Sequence, residues 1–349
     1  MRAALKWIGG FLLTALLLGW VLRRVEIGAV RAQLGGASLP LLTLGAILNF
    51  AHNPFRVWRW RTLLSPVRAG VPFRPMFAAI ILGYATSWLV PGRLGEIVRP
   101  ALLSARERLP FGACLGTVVA DRLLDGLAVL GLFAAGIALT PLVGESLAQA
   151  TRIRNWSLAV VGLVLVPLAF LLVVSSYRSR LEGWVQGLGG RVGTRIGGAV
   201  LALSHGIEAL RRPRLLLPIV AHTVAAWMLI VAGTWLGVRA CGADVGLGSV
   251  LVILPLLALG IALPTPGGAG GYHAAMVFGL TRLFGVDEPV AVGASFAMHA
   301  AIVLPVIVGA GLLVVLEGIP VATLVRAVRR AATAGDAGRG GPEPRERAP

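Results

Sequence analysis

Apolar residues run along this chain in stretches of roughly 17 to 28, and about 17 to 25 suffice for an α-helix to cross a hydrocarbon core of about 30 Å. Uninterrupted stretches predict full spans at about Lys6 to Leu22, Leu39 to Phe55, Ala113 to Leu139, Trp156 to Ser175, Leu215 to Val238 and Pro289 to Leu316. Two more apolar regions, Pro75 to Ser104 and Leu247 to Phe284, are split near their middles by proline and glycine, and each predicts a pair of half-helices. Irregular backbone facing lipid would leave N–H and C=O groups unpaired at several kcal/mol each, so protein or cavity water must shelter both breaks. The pattern predicts an all-α, polytopic membrane helix bundle of six full spans and two broken, re-entrant helical hairpins, one integral membrane domain over residues 1–330.

The interval from Arg178 to Arg212 is too polar to span, yet carries Leu181, Trp184, Val185, Leu188, Val192 and Ile196 at helical intervals. It predicts an amphipathic helix in the cytoplasmic interface. Residues 334–349 reduce to Ala, Gly, Pro, Arg, Glu and Asp, a composition that cannot bury a core, and are expected to form a disordered cytoplasmic tail.

Composition agrees with the pattern: 57% of the 349 residues are hydrophobic and 13% charged, about half the charged share of a soluble domain. The net charge of +17 would suggest nucleic acid in a soluble chain, but here the basic residues sit between apolar segments and in the tail. They read as topology signals. With both hairpins re-entrant, most of the 32 Lys and Arg residues fall on the side of the two termini, which places both termini in the cytoplasm of a bacterial inner membrane. The first span resembles a secretory signal, but Arg23 and Arg24 follow it in place of a cleavage site, so it reads as a retained anchor. Trp58 and Trp60, interleaved with Arg56, Arg59 and Arg61, read as an interfacial anchor rather than a nucleic-acid patch. Cys114 and Cys241 lack the spacing for a disulfide framework or for zinc, and no metal or cofactor is expected.

The two breaks resemble one another. Pro91-Gly92-Arg93-Leu94-Gly95-Glu96 and Pro266-Gly267-Gly268-Ala269-Gly270 both carry P-G-x-x-G, the second preceded by Pro264. The first hairpin enters from the cytoplasm and the second from outside, an inverted pair meeting near the midplane, where secondary transporters commonly bind. Interrupted helices also offer uncapped N–H groups to an anion. Tight turns that merely let helices pack closely are the plain alternative. Arg93, Glu96 and Arg99 follow the first break at helical spacing, with Glu96 facing both arginines. Asp121, Arg122 and Asp125 follow in the next span, and the six charges sum to zero. Each ionised side chain at the bilayer centre costs at least about 2.5 to 3.5 kcal/mol, so they should face one another or a wet cavity. They fit either a lipid-headgroup site or a structural ion-pair network. His273 is a candidate titratable cavity group, His299 reads as a packing histidine, and Asn49, His52 and Asn53 are expected to bond neighbouring helices. No P-loop or G-x-S-x-G is present.

The stretches PGRLGEIVRPALL, VVADRLLDGLAVL and LPTPGGAGGYHAAM together resemble the lysylphosphatidylglycerol synthase transmembrane-region family, also called the flippase-like domain family, over nearly the whole chain to about residue 320. The resemblance implies lipid translocation, moving an anionic, aminoacylated or polyprenyl-linked lipid between leaflets, and with no ATPase motif no enzyme activity is expected. It carries over the first motif to Pro91, Gly92, Gly95, Glu96 and Arg99, the acidic motif to Asp121, Arg122 and Asp125, and the second glycine motif to Pro264, Pro266, Gly267, Gly268 and Gly270. A glutamate is usual in the family where His273 stands. No room is expected for a soluble aminoacyl-transferase domain. The partners implied are a phospholipid or polyprenyl-linked lipid, the membrane, a lipid or glycan synthase and a second copy of the chain. Two other readings stand beside translocation: a membrane-embedded transferase with Glu96, Asp121 or His273 as base, and a non-catalytic partner of a synthase.

Overall fold

A computed structural model describes residues 2–22, 26–90, 93–140, 208–263 and 265–318. The expected span at Trp156 to Ser175, nearly all of the Arg178 to Arg212 segment, the tail, and Pro91, Gly92 and Pro264 of the break motifs lie outside the described residues. Among the described residues all regular structure is helical: α1 (Arg2–Leu22), α2 (Ile27–Gly35), α3 (Leu39–Leu64), α4 (Phe73–Leu89), α5 (Gly95–Glu107), α6 (Phe111–Leu139), α7 (Pro213–Ala240), α8 (Leu247–Ala262), α9 (Ala269–Phe278) and α10 (Glu288–Leu316). Helices α6, α7 and α10 are long and apolar enough to cross a membrane by themselves, and α2 with α3, bent by 85°, qualify as a broken pair.

Helix α3 corrects one expectation. The span predicted to stop at Phe55 continues to Leu64, and the Arg/Trp segment read as an interfacial anchor turns inward: Arg59 and Trp60 are fully buried and Arg56 nearly so, while Trp58 stays exposed. The helix survives Pro54 because the side-chain amide of Asn53 donates to the Phe50 carbonyl at 2.8 Å, the acceptor that the missing proline N–H leaves free.

Helices α7 to α10 repeat the order of α3 to α6: one long helix, two short ones that double back, one long helix. The two copies run in opposite directions. The Ser38 amide donates to Ala240 O at the head of α3, Gly45 lies against Gly233, and Arg59 reaches Thr223 near its tail, so α3 and α7 pack antiparallel along their length. Each hairpin closes on a glycine pair. A Cβ at Gly95 would overlap the Gly83 carbonyl of α4, and a Cβ at Gly271 would overlap the Gly260 carbonyl of α8, so backbone meets backbone where a side chain would hold the arms apart.

The first hairpin enters from the end of the bundle where Arg68 pairs with Glu107, and where Glu317 at the end of α10 takes Arg74 and Arg106. The second enters from the opposite end, where the Gln33 amide donates to Cys241 O. Their tips meet inside: Gly267 and Gly268, both in the left-handed region (φ 60° and 61°), lie against Trp88 at the end of α4. Outside, Leu217, Val220, Val224 and Met228 of α7 and Leu304, Val308, Leu312 and Val315 of α10 form exposed apolar stripes at helical spacing, the faces such helices turn to lipid.

Candidate functional site

Two aspartates one helical turn apart on α6 organise the interior. Asp121 accepts from Arg59 Nε of α3 at 2.7 Å, from Arg99 Nη1 of α5 at 2.9 Å and from Arg122 Nη2 at 3.3 Å. Asp125 accepts from Arg56 Nη1 at 2.6 Å and Arg59 Nη2 at 2.8 Å, with Arg122 Nη1 at 3.2 Å and Trp227 Nε1 of α7 at 3.3 Å. Arg59 therefore bridges both carboxylates with the two edges of one planar fork, a geometry open to guanidinium and closed to ammonium. Arg99 stacks its guanidinium on the Trp60 ring at 4.1 Å. The network ties α3, α5, α6 and α7 together by direct pairs, buried except at Arg122.

The in-helix pairing expected of Glu96 does not form with Arg99. Glu96 instead sits 3.3 Å from Arg122 Nε, both side chains about one-third exposed. Arg93 is exposed, adopts φ 55° just past the first break, and makes no ion pair among the described residues. The balance of charge also differs from the six residues read in sequence, because Arg56 and Arg59 join them and guanidiniums outnumber carboxylates. The sequence signal for Arg56 was a polar stripe, Asn49, Asn53, Arg56 and Trp60, at spacings of four, three and four, which Arg59 does not join; their position at the end of an apolar run disguised both arginines as an anchor.

Arg56, Arg93, Glu96 and Arg122 line a cavity of about 240 Å³, together with Asn49, His52, Tyr84 and Trp88. Its other wall is largely apolar and comes from the second copy of the repeat: Leu254, Leu257 and Ile261 of α8, Ile302 and Val306 of α10. Gly268 and Tyr272 bring the second break to the same space. Gly95 and Gly270 are buried in helix contacts, Gly270 against α1, and Pro266 opens the turn that carries Gly267.

His273 does not line this cavity. It is buried against α10, where Ser295 Oγ, already donating to Val292 O, accepts from its Nδ1 at 3.1 Å and the Phe296 ring stacks at 4.2 Å. His299 donates from Nε2 to the Gly267 carbonyl at 3.0 Å and meets Trp88 edge-on, so it staples the second break to the first hairpin. Asn49, His52 and Asn53 bond the backbone of their own helix, at Gly45 O, Asn49 O and Phe50 O, rather than neighbouring helices. Cys114 and Cys241 are free, buried thiols.

Opposed re-entrant hairpins around a charged interior define a multi-pass helical membrane protein. The chain belongs to the family described as the lysylphosphatidylglycerol synthase TM region, whose model matches residues 7–309. It is 25% identical over 269 residues to a UPF0104 membrane protein of Methanothermobacter thermautotrophicus, covering 72% of this chain and 78% of that one. It is 22% identical over 328 residues to the glycosyltransferase AglD of Haloferax volcanii, covering 84% of this chain but 51% of the relative, so the chain spans about half the length of that protein.

Proposed function

We propose that the protein moves an anionic lipid headgroup between leaflets through the cavity between the two hairpins, in a bacterial inner membrane with its arginine-rich end, near Arg68, Arg74 and Arg106, in the cytoplasm. One observation carries the reading: a cavity with three guanidiniums on one wall and aliphatic side chains on the other. The cationic wall suits a phosphate, for which the planar guanidinium is the favoured partner. The apolar wall suits the first carbons of the attached chain. A volume of about 240 Å³ takes a headgroup and leaves the tails in the bilayer. The residues proposed to act on the headgroup are Arg56, Arg93, Glu96 and Arg122, with Arg99, Asp121 and Asp125 holding them in place.

Proteoliposomes carrying a fluorescent phospholipid, quenched from outside with dithionite, test this directly. Wild type is expected to expose inner-leaflet probe, and Arg122→Ala and Arg56→Ala to do so at least tenfold more slowly at equal incorporation. Equal rates in all three would remove the cavity from transport. A second reading, a membrane module that serves a glycosyltransferase on a lipid-linked substrate, draws on the name of the Haloferax relative; a new covalent bond found by mass spectrometry of the lipids would favour it.

A further inference from the structure

Three hydroxyl-bearing residues of the second copy of the repeat line the same cavity. Thr234 of α7 and Tyr272 of α9 are each 1% exposed, and Thr265, in the turn before the second break, is 5% exposed. None of the three oxygens has a hydrogen-bond partner among the described residues. Thr86, Thr223 and Thr281 each donate to the carbonyl four residues back at 2.7 Å, the ordinary fate of a hydroxyl on a helix in an apolar setting. Thr234 sits mid-helix and does not. A buried hydroxyl without a partner is costly, and three from separate elements converging on one space point to a ligand that completes them.

The facing wall limits what that ligand is. Glu96 is the one carboxylate lining the cavity among the described residues, and Arg122 lies 3.3 Å from it; Arg56 and Arg93 add two more positive charges. An ammonium group carried into this space would meet repulsion from three guanidiniums and find no free carboxylate. A neutral polyol meets no such penalty, and its hydroxyls donate to and accept from Thr and Tyr hydroxyls alike. Tyr272 is well placed to discriminate, since the His299 ring at 5.1 Å and the His273 ring at 5.8 Å brace it on two sides.

We infer that the cavity is a two-part site, in which Arg56, Arg93 and Arg122 take a phosphodiester while Thr234, Thr265 and Tyr272 take a neutral polyhydroxylated substituent on it, with cationic aminoacyl headgroups disfavoured. The inference rests on the reading of the cavity as a headgroup site and adds the identity of the headgroup. The polyol is either the glycerol of a phospholipid or the sugar of a polyprenyl phosphate, which share this chemistry.

Native mass spectrometry of the full chain in nanodiscs, titrated with phosphatidylglycerol, glucosyl polyprenyl phosphate, phosphatidylethanol and lysylphosphatidylglycerol, separates the outcomes. Phosphatidylethanol has the same phosphodiester charge as phosphatidylglycerol and no hydroxyls. At least one polyol lipid is expected to bind fivefold or more tightly than phosphatidylethanol, and the tighter of the two names the source. Tyr272→Phe, Thr265→Val and Thr234→Val, each close to isosteric, are expected to bring that ratio within twofold. Lysylphosphatidylglycerol is expected to bind more weakly than phosphatidylglycerol. Equal binding of polyol lipids and phosphatidylethanol by the wild type, an unchanged ratio in all three variants, or tightest binding of the lysyl lipid overturns the inference and leaves the headgroup site standing. Binding of none of the four overturns both.

Discussion

The Arg59 guanidinium, fully buried, meets the Asp121 carboxylate at 2.7 Å across 62 residues of chain. Neither charge could stay in that place alone. Asp121→Ala is expected to destabilise the protein by about 3 to 5 kcal/mol, the cost of leaving a buried partner uncompensated, because Arg59 and Arg99 both lose an acceptor. Thermal unfolding in detergent reads the loss. Arg59→Lys keeps the charge but cannot span Asp121 and Asp125, and a loss between that of Asp121→Ala and zero is expected.

Glu96→Gln separates stability from ligand handling. The Glu96–Arg122 pair is about one-third exposed on each side, so removing its charge is expected to cost less than about 1 kcal/mol. The freed Arg122 guanidinium is then available to an anion, and affinity for an anionic phospholipid is expected to rise several-fold in the same nanodisc titration. Unchanged or weaker binding would place Glu96 outside the headgroup site.

Hairpin closure depends on the absence of two side chains. Gly95→Ala and Gly271→Ala each force a Cβ onto a facing carbonyl, and a loss of about 1 to 3 kcal/mol is expected from overpacking of this kind. Gly131→Ala is the control: on α6 it meets nothing within 4 Å and is expected to be neutral or slightly stabilising in the same melts.

Opposed entry of the hairpins has a labelling consequence. Arg68→Cys and Asp244→Cys occupy opposite ends of the bundle, and the native thiols are buried and should stay silent. An impermeant maleimide is expected to label Asp244→Cys in intact spheroplasts and Arg68→Cys only in inverted vesicles. Labelling of both from one face would refute the orientation.

The breaks were readable because proline and glycine inside an apolar run have few physical excuses, and Asp121 and Asp125 because i, i+4 spacing fixes them to one helix face. Arg56 and Arg59 were not, since arginine and tryptophan after an apolar run carry the same local signature whether the helix leaves the membrane or turns its charges toward carboxylates some 65 residues later. Only the distant partner distinguishes the two cases. The choice of Arg122 over Arg99 by Glu96 was hidden for a related reason: in-helix spacing permits a pair, while tertiary competition from Asp121 and the Trp60 face decides it.

The crossing of α3 on α7 at Gly45 and Gly233 lies fourteen residues from Arg59, a lever arm of roughly 20 Å at 1.5 Å per residue. Tilting α3 by about ten degrees around that fulcrum would swing the Arg59 fork by roughly 4 Å, farther than a hydrogen bond stretches. Pinned at both points, the two helices act as a stiff strut, and any breathing of the chamber falls to the hairpins, which touch each other chiefly at their tips.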